Sequence, residues 1–222
     1  MTNEGPPNGQ RINGLNEFDI LYYINLDRRP ERNEQIKKEL KKTNIDPSKI
    51  NRVTATDVPE CGAYGCTMSH IEVLTRFLQT DDSIQTCVVL EDDFGFVQDQ
   101  RQVNSSVNKF LHDFNEKWDV LLLALNLIYG EKTEYPYAIR VFRSFTTAGY
   151  VVNKKFAPQL LENFKESAGL LKQEGKYVPT LCLDNYMGRL QQKTNWFSIV
   201  PRIGLQLPSY SDIEYRYVNY QC

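Results

Sequence analysis

The chain has 222 residues, of which 41% are hydrophobic and 24% charged, as in ordinary globular proteins. This composition fits one folded domain and excludes a chain that is disordered throughout. The 26 Lys and Arg against 28 Asp and Glu leave a net charge of −2, which argues against a protein built mainly to coat nucleic acid or an acidic membrane. The five cysteines are an odd number without regular spacing, so we expect a reducing, cytoplasmic compartment and no secreted disulfide framework.

The amino-terminal segment, residues 1–16, is rich in Gly, Pro and Asn and is predicted to be a flexible leader. It contains no apolar core of the kind a signal peptide needs. The longest apolar stretch, residues 120–125, is too short to span a bilayer. We therefore predict a single folded domain over residues 17–222 without a transmembrane segment.

Apolar runs bounded by turn residues predict strands, and apolar residues at helical spacing predict helices. Strands are predicted at 18–24, 50–55, 86–90, 119–124, 138–143, 146–152 and 195–200, and helices at 31–42, 67–79, 102–115, 154–165 and 181–192. Because strands alternate with helices and the central strands are apolar throughout, the pattern predicts an α/β fold with a mostly parallel central sheet flanked by helices. Such sheets bind ligands at the carboxyl ends of their strands.

Three consecutive carboxylates, Glu91, Asp92 and Asp93, follow the apolar strand predicted at 86–90. An arbitrary acidic triplet is a solvated turn, but at the carboxyl end of a buried strand the mutual repulsion favours a hard divalent cation. Residues i and i+2 of an extended segment point to the same side. We therefore predict Glu91 and Asp93 as ligands of Mn²⁺ or Mg²⁺, with Asp92 facing the other way.

A glycine-rich segment, residues 62–70, leads into the second helix and contains Ser69 and His70. Cys61, Cys66 and His70 raise the question of zinc, but the spacing offers no fourth ligand, so a structural zinc site is not predicted. Cys66 and His70 lie one helical turn apart, so a thiolate–imidazole pair is conceivable. We favour the interpretation that both are ordinary helix residues beside a cleft.

Charged and polar residues also follow the first strand and recur near the carboxyl terminus. Arg28 and Arg32 come shortly after Asn25, where arginine either binds phosphate or is simply surface charge. Asp184 stands in an otherwise neutral stretch and is either a helix cap or an acid–base residue. Asp212 has no role that chemistry alone suggests.

These segments, taken in order, resemble glycosyltransferase family 25, which contains bacterial lipopolysaccharide and lipooligosaccharide galactosyltransferases and the procollagen galactosyltransferases. The resemblance runs from about residue 19 to residue 213, and the Gly-Cys-x-x-Ser-His and Leu-Glu-Asp-Asp pieces are its most specific parts. The family often has Gly after the Ala-x-Asp of the second strand, where this chain has Val58 after Asp57. The chain also lacks the second half found in the procollagen enzymes. The matching segments are Tyr23 to Arg28 with Arg32, Val53 to Asp57, Gly65 to His70, Val89 to Asp93, Trp118 to Leu122, Thr147 to Val152, Asp184 and Ser211 to Ile213.

The resemblance implies a GT-A type nucleotide-sugar-binding fold and a single glycosyltransferase catalytic domain over 17–222. It further implies an inverting transfer from a UDP-sugar, with galactose favoured and glucose the alternative, and with Mn²⁺ or Mg²⁺ between the acidic motif and the diphosphate. Asp184 would be the base or an extra metal ligand, with Asp212 as the second choice of base and His70 near the donor. The donor-binding residues implied are Asn25, Arg28, Arg32, Ser69 and Asp92.

The partners implied are the UDP-sugar donor and a glycan or hydroxylated protein acceptor, without nucleic acid. Peripheral membrane contact, the oligomeric state and the acceptor stay open. Two other function classes also fit the sequence. One is a catalytically inactive nucleotide- or glycan-binding module, and the other is a metal-dependent phosphoesterase or nucleotidyltransferase, in which the carboxylates would activate water.

Overall fold

The structure is a computed structural model that describes residues 13–213 and 216–220. Residues 1–12 of the predicted leader lie outside the described residues. The rest of that leader is folded, because Gly14–Glu17 form a 3₁₀ helix and Leu15 is buried in the core. Residues 14–16 of the segment predicted to be flexible are therefore part of the described fold.

Strands and helices alternate along the described part of the chain. The helices are α1 (Pro30–Lys41), α2 (Gly62–Leu78), α3 (Gln100–Phe114), α4 (Ala157–Glu174), α5 (Leu183–Tyr186) and α6 (Gly188–Gln191). The strands are β1 (Ile20–Asn25), β2 (Ile50–Thr54), β3 (Thr86–Glu91), β4 (Phe94–Phe96), β5 (Val120–Leu122), β6 (Asn126–Lys132), β7 (Ala138–Phe145), β8 (Gly149–Asn153), β9 (Trp196–Ile199), β10 (Gly204–Gln206), β11 (Ser209–Ser211) and β12 (Arg216–Val218).

Eight of these strands form one central sheet in the order β2-β1-β3-β8-β5-β9-β7-β6. The predicted α/β class with a central sheet flanked by helices is confirmed. The sheet is mixed, however, with β1 parallel to both β2 and β3, and β5 parallel to β9, while the other four pairings are antiparallel. The antiparallel pairings of β8 were not predicted because this strand is buried along almost its whole length. It therefore shows the continuous apolar run typical of a parallel strand.

Helices cover both faces of the sheet. Alternate residues of β1 point to opposite faces, with Leu21 in one core cluster and Tyr22 in the other. The first cluster includes Ile36 of α1 and Phe110 of α3, and the second includes Phe77 of α2 together with residues of α4. Each fully buried side chain of this size contributes about 1.5–3 kcal/mol relative to an exposed one. Among the described residues, no helix is long and apolar enough to cross a membrane.

Three of the predicted helices differ from their predicted bounds by more than two residues. Helix α2 begins at Gly62, five residues before its predicted start, so that Gly65 lies inside the helix. A Cβ at Gly65 would come within 2.5 Å of the Thr56 carbonyl oxygen. Helix α4 continues to Glu174 and ends at Gly175, which has a φ of 64°. The helix predicted at 181–192 is divided into a 3₁₀ turn, α5 and α6.

Candidate functional site

A cavity of about 370 Å³ opens at the carboxyl ends of the parallel strands β1, β2 and β3. Its volume lies in the range of small-molecule sites. We call it the strand-end cavity. It brings together nine of the ten predicted site residues, namely Asn25, Arg28, Arg32, Ser69, His70, Glu91, Asp92, Asp93 and Asp212.

A second cavity of about 330 Å³ adjoins the first and contains the tenth predicted residue, Asp184. We call it the α5 cavity, because Leu183, Asp184 and Asn185 of that helix line it. Cys66, Glu91, Gln206, Ser211 and Ile213 line both cavities. Glu91 therefore stands where the two cavities meet.

Asp92 was predicted to face away from the site, but it faces into it. The extended strand ends at Glu91 and the chain turns at Asp92 and Asp93, so the alternation of side chains stops there. Asp92 lines the strand-end cavity, where its carboxylate accepts hydrogen bonds from Asn25 Nδ2 at 2.7 Å and from Arg32 Nη1 at 3.0 Å. This arrangement ties the end of β3 to the end of β1 and to α1.

Asp93 is buried and only partly satisfied. Its Oδ2 accepts a hydrogen bond from Gln206 Nε2 at 3.1 Å and lies 3.7 Å from Arg32 Nη1, whereas its buried Oδ1 has no hydrogen-bond partner. Burial and the charge of Glu91 raise the pKa of Asp93 to about 7. An unpartnered carboxylate oxygen among crowded carboxylates fits a hard divalent cation. The residues present therefore fit the predicted metal.

Glu91 is held by two side chains. Its Oε1 accepts a hydrogen bond from Thr147 Oγ1 at 2.7 Å and lies 3.3 Å from His70 Nε2. Burial raises the pKa of Glu91, but the hydrogen bonds from His70 and Thr147 outweigh it, so the pKa is lowered overall. His70 is fully buried, and its Nδ1 lies 3.1 Å from the hydroxyl of Tyr150. The histidine thus orients a carboxylate within the protein.

Cys66 lies beside this pair. One ligand atom each from Cys66, His70 and Glu91 lie within 4.8 Å of one another. Burial, followed by the charge of Glu91, raises the pKa of the Cys66 thiol well above its usual value. The thiol is therefore protonated at neutral pH, which argues against a thiolate nucleophile.

Arginines join the carboxyl-terminal segment to the strand-end cavity. Arg28 donates hydrogen bonds to Asp57 at 2.7 Å and to Asp212 at 3.0 Å, and Arg29 donates one to Asp212 at 2.6 Å. Arg32 Nη2 donates to Ser209 Oγ at 2.6 Å. Asp212 is therefore fully engaged by two guanidinium groups, which does not suit a free catalytic base.

Two other predicted residues make backbone contacts. Ser69 Oγ accepts a hydrogen bond from the Thr56 amide and donates one to the Gly65 carbonyl, so this hydroxyl holds the loop after β2 against α2. Asp184 accepts hydrogen bonds from the backbone amides of Thr146 at 3.3 Å and Asn185 at 2.8 Å. Burial raises the pKa of Asp184 and these amides oppose the rise.

Sequence reasoning missed four residues of this site: Arg29, Thr147, Tyr150 and Gln206. Thr147 and Tyr150 lie within a segment that carried the family resemblance, but nothing in the sequence showed that they face Glu91 and His70. Gln206 lies after residue 200, where no strand or helix was predicted. Its position is set by the pairing of β10 with β4, which places Gln206 opposite Phe94.

No curated protein matches this chain. A glycosyltransferase involved in the glycosylation of the major capsid of PBCV-1 has a similar structure, with 10% identity, a TM-score of 0.49 and coverage of 88% of this chain and 95% of that chain. A mannose-1-phosphate geranyltransferase from Thermus thermophilus is 10% identical, with a TM-score of 0.45 and coverage of 87% and 75%. The apo-form glycosyltransferase GlyE of Streptococcus pneumoniae is 12% identical, with a TM-score of 0.45, and the match covers 81% of this chain but 44% of that chain.

The family comparison is more direct. Residues 61–173 match the profile described as glycosyltransferase family 25 (LPS biosynthesis protein). The match spans just over half of the chain, and it includes α2, the acidic triplet and the Thr147–Tyr150 segment. The resemblance inferred from the motifs is confirmed, and the chain belongs to glycosyltransferase family 25.

Proposed function

We propose that the protein transfers galactose, or alternatively glucose, from a UDP-sugar to a hydroxyl group of a glycan or hydroxylated protein, with inversion at the anomeric carbon. The observation that supports this proposal is the pair of cavities that adjoin at Glu91. A transferase needs a donor site and an acceptor site that meet at the reacting carbon. The strand-end cavity would bind the donor, and the α5 cavity would bind the acceptor.

The strand-end cavity offers two features for binding a nucleotide diphosphate: arginines for its phosphates, and carboxylates that would hold a metal ion beside them. Arg28 and Arg32 line this cavity. Arg28 is paired with the partly exposed Asp57 and Asp212, so an incoming diphosphate would compete for it with these carboxylates. Glu91 and Asp93 would hold Mn²⁺ or Mg²⁺ through oxygen ligands. Such a cation neutralises charge that develops on the departing diphosphate.

Asp184 would be the base. The acceptor oxygen would form its bond to the anomeric carbon as the bond from that carbon to the diphosphate oxygen breaks, and the acceptor proton would pass to the Asp184 carboxylate. The amides of Thr146 and Asn185 fix the position of this carboxylate. Asp212 is the weaker candidate because two arginines already occupy it.

The experiment is a donor screen on the full chain by thermal melting, followed by an assay of UDP release. We expect stabilisation by one UDP-sugar only when Mn²⁺ or Mg²⁺ is present, and slow hydrolysis of that donor without an acceptor. Asp93→Asn should reduce hydrolysis about 100-fold or more, whereas Asp82→Asn, at a fully exposed carboxylate, should not.

Three outcomes would contradict the proposal. Unchanged hydrolysis in Asp93→Asn would remove the metal role of the acidic triplet. Release of inorganic phosphate would favour a phosphoesterase. Binding of UDP without turnover on any acceptor would favour a binding module.

A further inference from the structure

We propose that Cys66, His70 and Glu91 form a second metal site that binds Zn²⁺, separate in chemistry from the oxygen ligands proposed for Mn²⁺ or Mg²⁺. One ligand atom from each residue lies within 4.8 Å of those of the other two, and His70 Nε2 is 3.3 Å from Glu91 Oε1. Zinc bonds to sulfur, nitrogen and oxygen measure about 2.0–2.3 Å, which separates tetrahedral ligands by about 3.5 Å. Small side-chain rotations would therefore close the site.

Two elements bring the three ligands together. Cys66 and His70 lie one turn apart on α2, which places both on the same face of the helix. Glu91 is the last residue of β3. Sequence spacing raised the question of a zinc site at Cys61, Cys66 and His70. Among the described residues, the ligand atoms that lie together are those of Cys66, His70 and Glu91, and spacing could not reveal Glu91 because it comes from another element.

Neighbouring side chains already orient the ligands, as they do in established metal sites. His70 Nε2 faces Glu91, and the other ring nitrogen, Nδ1, lies 3.1 Å from the Tyr150 hydroxyl. Thr147 donates a hydrogen bond to Glu91 Oε1. Tyr150 is buried. Partners of this kind fix the ring orientation. Zinc would take the place of the hydrogen bond between His70 Nε2 and Glu91 Oε1, with the ring proton held on Nδ1 against the Tyr150 hydroxyl. The donor set of thiol and imidazole favours zinc over manganese or magnesium.

A metal ion can reach this site from the cavities, and the three protein ligands leave one coordination position open. Cys66 and Glu91 line both cavities, so an ion can approach through either of them. Three protein ligands leave one tetrahedral position for water or substrate. On binding, the Cys66 sulfur–hydrogen bond would give way to a sulfur–zinc bond, and the proton would pass to solvent.

One consequence rests on the proposed function. Because Glu91 would serve both metals, zinc at this site would compete with manganese and inhibit transfer. The test of the site itself does not depend on transfer, so failure of the proposed function would leave it intact.

The test uses Co²⁺ as a spectroscopic probe on the metal-free full chain. We expect one Co²⁺ to bind and to give a thiolate-to-cobalt charge-transfer band, which equimolar Zn²⁺ removes. Cys66→Ser should abolish the band, whereas Cys61→Ser, at a buried cysteine at the start of the same helix, should keep it. Tyr150→Phe should weaken Co²⁺ binding about 10-fold.

Three results would overturn the proposal: no charge-transfer band in the wild-type protein, a band that persists in Cys66→Ser, or a band that is lost in Cys61→Ser. Melting of each metal-free variant checks that it is folded. If Cys66→Ser does not fold, Cys66→Ala provides the same comparison, since it also removes the sulfur ligand.

Discussion

The stability of the metal-free protein is expected to fall as the pH rises from 5 to 8, because of Asp93. Burial and the charge of Glu91 raise the pKa of this carboxyl from 3.8 to about 7. Between these values the folded state holds a proton that the unfolded chain has released, so folding is favoured at low pH and the advantage is lost as the pH rises through the window. Of this window, the range from pH 5 to pH 8 covers the two units up to pH 7, which correspond to about 3 kcal/mol.

The neighbouring carboxyls modify this profile in known directions. Burial also raises the pKa values of Asp92 and Asp184, so both add to the loss of stability with rising pH. The pKa of Glu91 is lowered overall, so its contribution is present at neutral pH and is lost only on acidification. The slope above pH 5 is therefore dominated by Asp93.

Thermal melting in the presence of a chelator measures the effect. For a chain of this size, each kcal/mol shifts the melting temperature by about 2–4 °C, so the expected fall between pH 5 and pH 8 is about 6–12 °C. Asp93→Asn should remove most of this dependence, whereas Asp82→Asn should retain it. Saturating Mn²⁺ should restore stability at pH 8 by about 3 kcal/mol at a concentration 100 times the dissociation constant.

A flat pH profile in the wild-type protein would refute this reasoning, and so would a slope that survives in Asp93→Asn. Either result would mean that Arg32, 3.7 Å from Asp93, compensates its charge more fully than the burial of Asp93 penalises it. A profile that Mn²⁺ leaves unchanged would refute the metal role of Asp93.

Five further outcomes separate the roles of site and core. Asp184→Asn should lower kcat by about 10²–10⁴-fold with donor KM unchanged, and a normal kcat would remove Asp184 as the base. Because burial raises the pKa of Asp184, wild-type kcat should fall on acidification at a pH above the ordinary range of aspartate, as a pH–rate profile would show. Asp212→Asn removes a negative charge from two arginines, so donor KM should decrease with kcat largely kept, and a collapse of kcat would contradict this. Gly149→Ala would bring a Cβ within 2.5 Å of the Phe94 ring and should cost about 1–3 kcal/mol in denaturant unfolding, whereas Gly169→Ala, with nothing within 4 Å, should stabilise α4 by about 0.5–1 kcal/mol.

Sequence reasoning located the site through the ends of the strands. The apolar runs before Asn25 and Glu91 identified β1 and β3, and the parallel pairing of these strands places both residues in the strand-end cavity. Local hydrophobicity sufficed here because strand ends are marked by an abrupt change to polar residues. The role of each residue within the cavity depended on the path of the chain after the strand, which is why the direction of Asp92 was wrong.

Long-range pairing determines the parts that were not predicted. The α5 cavity forms where α5 meets the loop between β7 and β8, through the contact of Asp184 with Thr146, and no local pattern encodes that contact. No strand was predicted after residue 200, yet Gln206 reaches Asp93 because β10 pairs with β4. Such contacts join residues about 40 and 110 positions apart, beyond the range of helical or strand periodicity.

The near-neutral charge of the whole chain conceals a local excess of negative charge that both metal proposals share. Two arginines line the strand-end cavity against five carboxylates. The buried carboxylates Asp92 and Asp93 share Arg32 as a cationic partner, and buried charges of one sign are costly without compensation, so uptake of a proton or a cation is favoured there. The raised pKa of Asp93 and its unpartnered oxygen describe the first condition. A divalent ion would create the second, and it would bring with it the positive charge that a nucleotide diphosphate needs.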